Sequence, residues 1–96
     1  MAGAHADLIG FTMKHAGTQT LQRLSDLLDQ IRQRPGLKEK KLGIFYRNAK
    51  SFLHFHEDPA GTFADLTVGE TFDRYPVNTA KECKALLAAI DRSLAE

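Results

Sequence analysis

Residues 52–68 read Phe-Leu-His-Phe-His-Glu-Asp-Pro-Ala-Gly-Thr-Phe-Ala-Asp-Leu-Thr-Val, and this stretch decides the fold. Apolar and polar residues alternate on both sides of a short loop at residues 57–61, which contains a proline and a glycine. Alternation with a period of two predicts β-strands, and proline and glycine between strands predict a turn. We therefore interpret the stretch as a β-hairpin that places His54, His56 and Asp65 on one face of a sheet.

The same alternation continues on both sides of this hairpin. Residues 42–47 before it and residues 72–77 after it are predicted strands, and short turns join them to the hairpin. Residues 38–41, Lys-Glu-Lys-Lys, are interpreted as a solvated, charged connector rather than a nucleic-acid site. The sequence thus predicts a four-stranded antiparallel meander.

Two amphipathic helices flank the predicted strands. Residues 18–34 carry apolar side chains at the three-and-four spacing of one helical stripe, and Pro35 and Gly36 then stop the helix. Near the carboxyl end, Thr79 and Glu82 have the spacing of a capping box, and an apolar stripe follows them. The prediction is an α+β fold in the order αββββα, with both helices on one face of the sheet.

Composition and charge limit the class of protein. The chain has 96 residues, 43% of them hydrophobic, which suits one core, so residues 18–96 are predicted to form a single domain. Residues 1–17 are interpreted as a flexible or loosely docked arm, and the chain has no apolar run long enough to span a membrane. A net charge of +1 argues against nucleic-acid partners.

The chain has a single cysteine, Cys83, so an intrachain disulfide and a thiolate-based zinc site are both excluded. This use of cysteine suits a reducing cytoplasm, and we expect a cytoplasmic, bacterial-type protein. Cys83 falls on the apolar stripe of the last helix, where a thiol behaves as a small hydrophobic group.

Strand parity predicts which side chains share a face, because a shift of one residue reverses every side chain. The expected register sets Ile44 opposite Leu53 and Leu53 opposite Leu66. The face predicted to meet the helices then comprises Leu42, Ile44, Leu53, Phe55, Ala64, Leu66 and Val68. The opposite face comprises Phe45, Arg47, Phe52, His54, His56, Phe63, Asp65, Thr67, Phe72 and Arg74.

Three residues on that opposite face are candidate metal ligands. His54 and His56 stand at positions i and i+2 of one strand, so both imidazoles point the same way and can hold one divalent ion. Asp65 on the next strand, or the acidic residues 57–58 of the loop, would supply oxygen. The alternative, which we favour from sequence alone, is that Asp65 pairs with an arginine and His54 stacks between phenylalanines.

A histidine oriented by a carboxylate is also suited to acid–base chemistry. The chain nevertheless lacks a complete catalytic set, since only Ser51 and Thr67 are nearby nucleophiles and no glycine-rich oxyanion loop accompanies them. The sequence therefore favours a protein without a catalytic role, and no cofactor motif is present.

Several phenylalanines share the face that carries these histidines, and an exposed apolar patch marks an interface or a ligand groove. Three interpretations remain: a homodimer contact between sheet faces, a small-molecule pocket, or cover by residues 1–17. We favour a non-catalytic interaction module that forms a homodimer. The interface or ligand residues would be Phe45, Phe52, His54, His56, Phe63, Asp65, Phe72 and Arg74.

The segment His54-x-His56, followed by Ala64-Asp65-Leu66, a strand and a terminal amphipathic helix, resembles the small luciferase-like domain family of uncharacterised function. The chain departs from that family in having no tryptophan, and so it lacks the Ser-Gly-Trp associated with the family's last strand. The resemblance implies the histidine-bearing hairpin and carries no established reaction with it.

Overall fold

The computed structural model describes residues 14–96 and has an α+β fold. In chain order its elements are β1 (Lys14–His15), α1 (Thr18–Arg23), α2 (Ser25–Arg32), β2 (Leu37–Lys41), β3 (Ile44–Arg47), β4 (Lys50–Asp58), β5 (Gly61–Val68), β6 (Thr71–Pro76) and α3 (Ala80–Leu94). Within the described residues, no helix has both the length and the apolar character needed to cross a membrane.

Strands β2 to β6 form an antiparallel sheet in which each strand lies beside the next one in the chain. Two-residue loops connect all four pairs, since Lys41 pairs with Ile44 and the other hairpins close in the same way. The predicted antiparallel meander is confirmed, but it has one strand more than the sequence suggested. The short β1 also pairs with β4, beside the end of that strand.

The additional strand is β2, which contains the residues predicted to be a charged connector. Its side chains alternate: the Glu39 carboxylate accepts hydrogen bonds from the Arg32 guanidinium of α2 and from the Gly43 amide, both at 2.9 Å. Lys40 lies over the ring of Tyr46, 4.6 Å from its centre. Charged residues have a low intrinsic propensity for β-strands. In β2, however, Glu39 and Lys40 find partners on the two faces of the sheet, and charged residues are common on edge strands.

The amino-terminal helical region confirms the prediction for residues 18–34, with one difference. The helix is interrupted at Leu24, whose backbone lies outside the helical region at φ −95° and ψ 14°, so α1 and α2 are separate. The chain then leaves α2 before Pro35, and Gly36 adopts a φ of 85° that favours glycine.

The capping box of α3 is confirmed. The Glu82 amide donates to the Thr79 hydroxyl at 3.1 Å, and the Glu82 carboxylate accepts from the Thr79 amide at 3.1 Å. Such caps satisfy amides that have no partner within the helix, which explains why α3 begins where the sequence predicts.

One hydrophobic core joins the helices to one face of the sheet. Leu53, Phe55, Ala64 and Leu66 are all buried in it, as parity predicts. We call this the inner face and the opposite side the outer face. Two residues predicted for the inner face are instead largely exposed, because Leu42 lies in a turn and Val68 ends its strand, with 47% and 45% of their surfaces accessible.

The predicted positions of Phe45 and Phe52 on the outer face are wrong, because both are core residues with 1% and 4% exposure. Phe45, rather than Ile44, pairs with Leu53. Tyr46 pairs with Ser51, so Phe52 has no partner on β3 and forms a β-bulge. The bulge turns Phe52 inward and changes the parity of β3 by one residue.

The same change moves Arg47 to the inner face, where its guanidinium donates to the Ser93 carbonyl of α3 at 3.2 Å. Tyr46 takes the predicted place of Arg47 on the outer face, since neighbouring residues of a strand point to opposite sides. The predicted arm at residues 1–17 lies largely outside the described residues, and its described part, residues 14–17, begins with β1.

Candidate functional site

The outer face brings together most of the residues predicted for a site. His54 pairs directly with Asp65, and Asp65 pairs directly with Arg74, across the three strands β4, β5 and β6. Directly paired residues share a face, and His56 lies two residues from His54 on the same side. Phe63 and Phe72 also belong to this face by the same register.

Asp65 is the buried charge of the site, with 2% exposure. Arg74 donates from Nε to Asp65 Oδ1 at 2.7 Å and from Nη2 to Oδ2 at 2.9 Å. Burial by itself raises the pKa of Asp65, but the hydrogen bonds from Arg74 and the positive charges nearby outweigh it and hold this pKa below its usual value. The carboxylate is therefore ionised at neutral pH, and its pairing with an arginine, anticipated from the sequence, is confirmed.

His56 also lies against this carboxylate, with Nε2 2.9 Å from Asp65 Oδ2. The contact is short enough for a hydrogen bond but lacks the required angle, so Nε2 has no hydrogen-bond partner in residues 14–96. The same is true of His56 Nδ1 and His54 Nδ1, and all three nitrogens are buried. Such groups are rare in folded proteins and call for an explanation.

Burial lowers the pKa of His54, and electrostatic interactions with His56, His15 and Arg74 lower it further, while Asp65 opposes them. A lowered pKa keeps the imidazole of His54 neutral at neutral pH. A metal ion binds the neutral form of imidazole, through the ring nitrogen that has a free lone pair.

His15 joins this group, although it was not among the predicted residues. It pairs with His56 across β1 and β4, and its ring lies 5.2 Å from that of His56 and 5.9 Å from that of His54, measured between centres. A two-residue strand has no detectable periodicity, so only the pairing of β1 with β4 reveals the contact. In the sequence, His15 lies in the segment interpreted as an arm, and no neighbouring pattern links it to the histidines of the hairpin.

Other predicted neighbours take different roles. Phe52 cannot stack on His54 because it is buried in the core, and the His54 ring instead contacts His15 and His56. Glu57 is engaged elsewhere, since its carboxylate accepts from the Gly17 amide at 2.6 Å. The small-molecule pocket considered for this face would be lined by Phe45, Phe52, Phe63 and Phe72. It does not form in this way, because Phe45 and Phe52 lie in the core on the inner face.

A cavity of about 410 Å³ does exist, between one end of the sheet and α3. It is lined by Phe52, Tyr75, Arg47 and Asp73, among others, and contains none of the histidines. Its walls carry both signs of charge, so no single ligand chemistry follows from it.

Cys83 packs against the core from α3, as predicted. Its Sγ lies 3.8 Å from the Val77 carbonyl, and burial raises the pKa of the thiol. A protonated, partly buried thiol is a poor nucleophile and a poor metal ligand. In the described part of the chain, the candidate metal-binding side chains therefore lie together in the cluster of His15, His54, His56 and Asp65.

Comparisons of the chain with protein-family models, with curated proteins and with solved structures found no match. The class defined by the structure is therefore an α+β domain with a five-stranded meander, helices packed on its inner face and a histidine–aspartate cluster on its outer face. The resemblance to the small luciferase-like family and the cytoplasmic location stay predictions.

Proposed function

We propose that this domain binds a divalent transition-metal ion through His54 and His56, with Asp65 as the neighbouring carboxylate. One observation carries the proposal: three buried imidazole nitrogens of His54 and His56 have no hydrogen-bond partner in residues 14–96, and one of them, His56 Nε2, lies 2.9 Å from the ionised Asp65 carboxylate. A buried polar group without a partner costs about 1–3 kcal/mol. A neutral imidazole has one nitrogen with a free lone pair, so a metal ion that accepts one nitrogen from His54 and one from His56 removes part of this cost.

The donor set selects the kind of ligand. Imidazole nitrogen with one carboxylate oxygen suits zinc, nickel and copper, whereas calcium and magnesium require mainly oxygen. One ligand atom from each of His54, His56 and Asp65 can be chosen so that all lie within 4.8 Å of one another. Ligands of a tetrahedral zinc ion lie about 3.3 Å apart, so small movements of the side chains complete the site.

Arg74 keeps this arrangement stable before a metal ion arrives. It neutralises the charge of Asp65 and fixes the orientation of the carboxylate through two hydrogen bonds. A metal ion needs only the lone pair of Oδ2 that faces His56, and Arg74 can keep its bond to Oδ1. Groups that orient ligands in this way commonly contribute to metal affinity.

One zinc ion is expected to bind per chain. At saturating concentration, zinc should raise the melting temperature of the protein by about 5–10 °C. Isothermal titration calorimetry and thermal unfolding of protein without a histidine tag measure both effects. His54→Ala and His56→Ala should each weaken affinity at least about tenfold, because each removes one ligand. Cys83→Ala is the control and should bind zinc as the wild type does.

Absence of zinc, nickel and copper binding by the wild-type protein would contradict the proposal. Equal affinity in the wild type and both histidine variants would contradict it too, because binding would then occur elsewhere. Manganese serves as a comparison, since a site rich in nitrogen ligands should hold it least well among these metals.

A homodimer through the outer face is a second candidate. It is favoured by the position of Phe72, which is 54% exposed on the face that the helices leave open. Phe45 and Phe52 no longer add to this patch, which makes it smaller than the sequence suggested. The metal proposal therefore has the stronger structural support.

If the dimer forms, light scattering after size-exclusion chromatography should give twice the chain mass of 10.7 kDa. Phe72→Ser should then yield a monomer, because a polar side chain would be buried in the contact. Leu42→Ser is a matched control, since Leu42 is similarly exposed but lies in a turn. A wild-type monomer at all concentrations would rule out this candidate.

A further inference from the structure

We infer that His15 is a third imidazole ligand of the same metal ion, so that the metal fastens β1 to the sheet. This inference rests on the proposed metal function. It adds a ligand from a separate element of the chain, and it defines the coordination as three nitrogens and one oxygen. Four protein ligands complete a tetrahedral zinc site, which is the arrangement of structural rather than catalytic zinc.

The backbone places His15 on the correct side of the sheet. His15 pairs directly with His56, so the two side chains share the outer face. The Ala16 amide donates to the Phe55 carbonyl at 3.1 Å, and Gly17 is held by Glu57. The position of His15 is therefore fixed by contacts that do not depend on a metal ion.

The spacing of the three rings matches a shared ion. A zinc–nitrogen distance of about 2.0–2.1 Å puts the centre of a bound imidazole about 3.2 Å from the ion, and two such rings at the tetrahedral angle have centres about 5.2 Å apart. The observed distances are 4.6 Å between His54 and His56, 5.2 Å between His15 and His56, and 5.9 Å between His15 and His54. These values bracket the expected separation.

The His15 ring must turn in place for one of its nitrogens to reach the other ligand atoms. The set of ligand atoms within 4.8 Å of one another comprises His54, His56 and Asp65, without His15. The His15 side chain is exposed, so rotation about its torsions meets little packing resistance.

Two substitutions separate ligation from ring packing. His15→Phe keeps an aromatic ring beside His54 but removes the nitrogen ligand, and His15→Cys supplies a thiolate that binds zinc. We expect zinc affinity by calorimetry to fall at least about tenfold in His15→Phe and to recover in His15→Cys. Neither change should alter the stability of the metal-free protein appreciably, because His15 is exposed.

Hydrogen exchange gives a second readout at the backbone. Zinc should slow exchange of the Ala16 amide, which bonds to Phe55, in the wild type but not in His15→Phe. If the wild type binds zinc and His54→Ala weakens binding while His15→Phe does not, this inference fails and the proposed function stands. If the wild type binds no transition metal, both fail.

Discussion

Phe45→Ala is expected to lower the free energy of unfolding by about 3–5 kcal/mol, because the side chain is 1% exposed and lies among packed core residues. A domain of this size has a total stability of about 5–10 kcal/mol, so the loss is a large part of the whole. Equilibrium denaturation by urea, followed by circular dichroism, measures it.

Phe72→Ala is the matched control, since it removes the same atoms from a side chain that is 54% exposed. Its effect should remain below about 1 kcal/mol. The comparison tests which face of the sheet is the core. Equal losses in the two variants, or a greater loss for Phe72→Ala, would show that the assignment of the faces is wrong.

Arg74→Met is expected to cost about 2–3 kcal/mol at neutral pH. It leaves the Asp65 carboxylate, only 2% exposed, without its two hydrogen bonds and without a full countercharge. The Arg74 side chain is itself 41% exposed, so water can reach the vacated position, which keeps the loss at or below the lower end of the range for broken buried pairs. Urea denaturation of the metal-free protein measures this effect.

Arg34→Met provides the control for the loss of an arginine. Arg34 also pairs with a carboxylate through two hydrogen bonds, but that carboxylate, on Asp91, is 54% exposed. Removing an exposed pair should cost less than about 1 kcal/mol. Similar losses in the two variants would mean that the burial of Asp65 does not determine the cost.

The effect of Arg74→Met should also depend on pH. In the wild type the pKa of Asp65 lies below its usual value, so its contribution to stability is present above about pH 4 and is lost as the pH falls through the folded-state pKa. Without Arg74, burial raises this pKa, and the carboxyl group is protonated at higher pH. The difference in stability between wild type and variant should therefore narrow from pH 7 to pH 4.

The sequence predicted the hairpin at the centre of the site because a short turn and the alternation around it fix its register. His54 opposite Asp65 and Asp65 opposite Arg74 follow from the loops alone. The register of β3 could not be predicted in the same way. The bulge at Phe52 adds one residue to β4, and nothing in the local sequence marks it, since phenylalanine fits either face.

The remaining differences have similar causes. Residues 38–41 have low strand propensity and form β2 only because tertiary partners, such as Arg32 for Glu39, are present. His15 was missed because its role depends on contacts between residues about forty positions apart, such as Gly17 and Glu57, which no local pattern reveals. The local sequence pattern therefore located the centre of the candidate site at His54, His56 and Asp65. The addition of His15 became visible only from the long-range pairing of β1 with β4.

The uninterrupted series of two-residue loops has a consequence for how the chain reaches this structure. Each strand of the meander meets a partner that is adjacent in the chain, so little entropy is lost in closing each loop. Low average sequence separation between contacting residues is associated with rapid folding. Strand β1 is the exception, since it reaches β4 across α1, α2, β2 and β3, and its docking should be among the last steps of assembly.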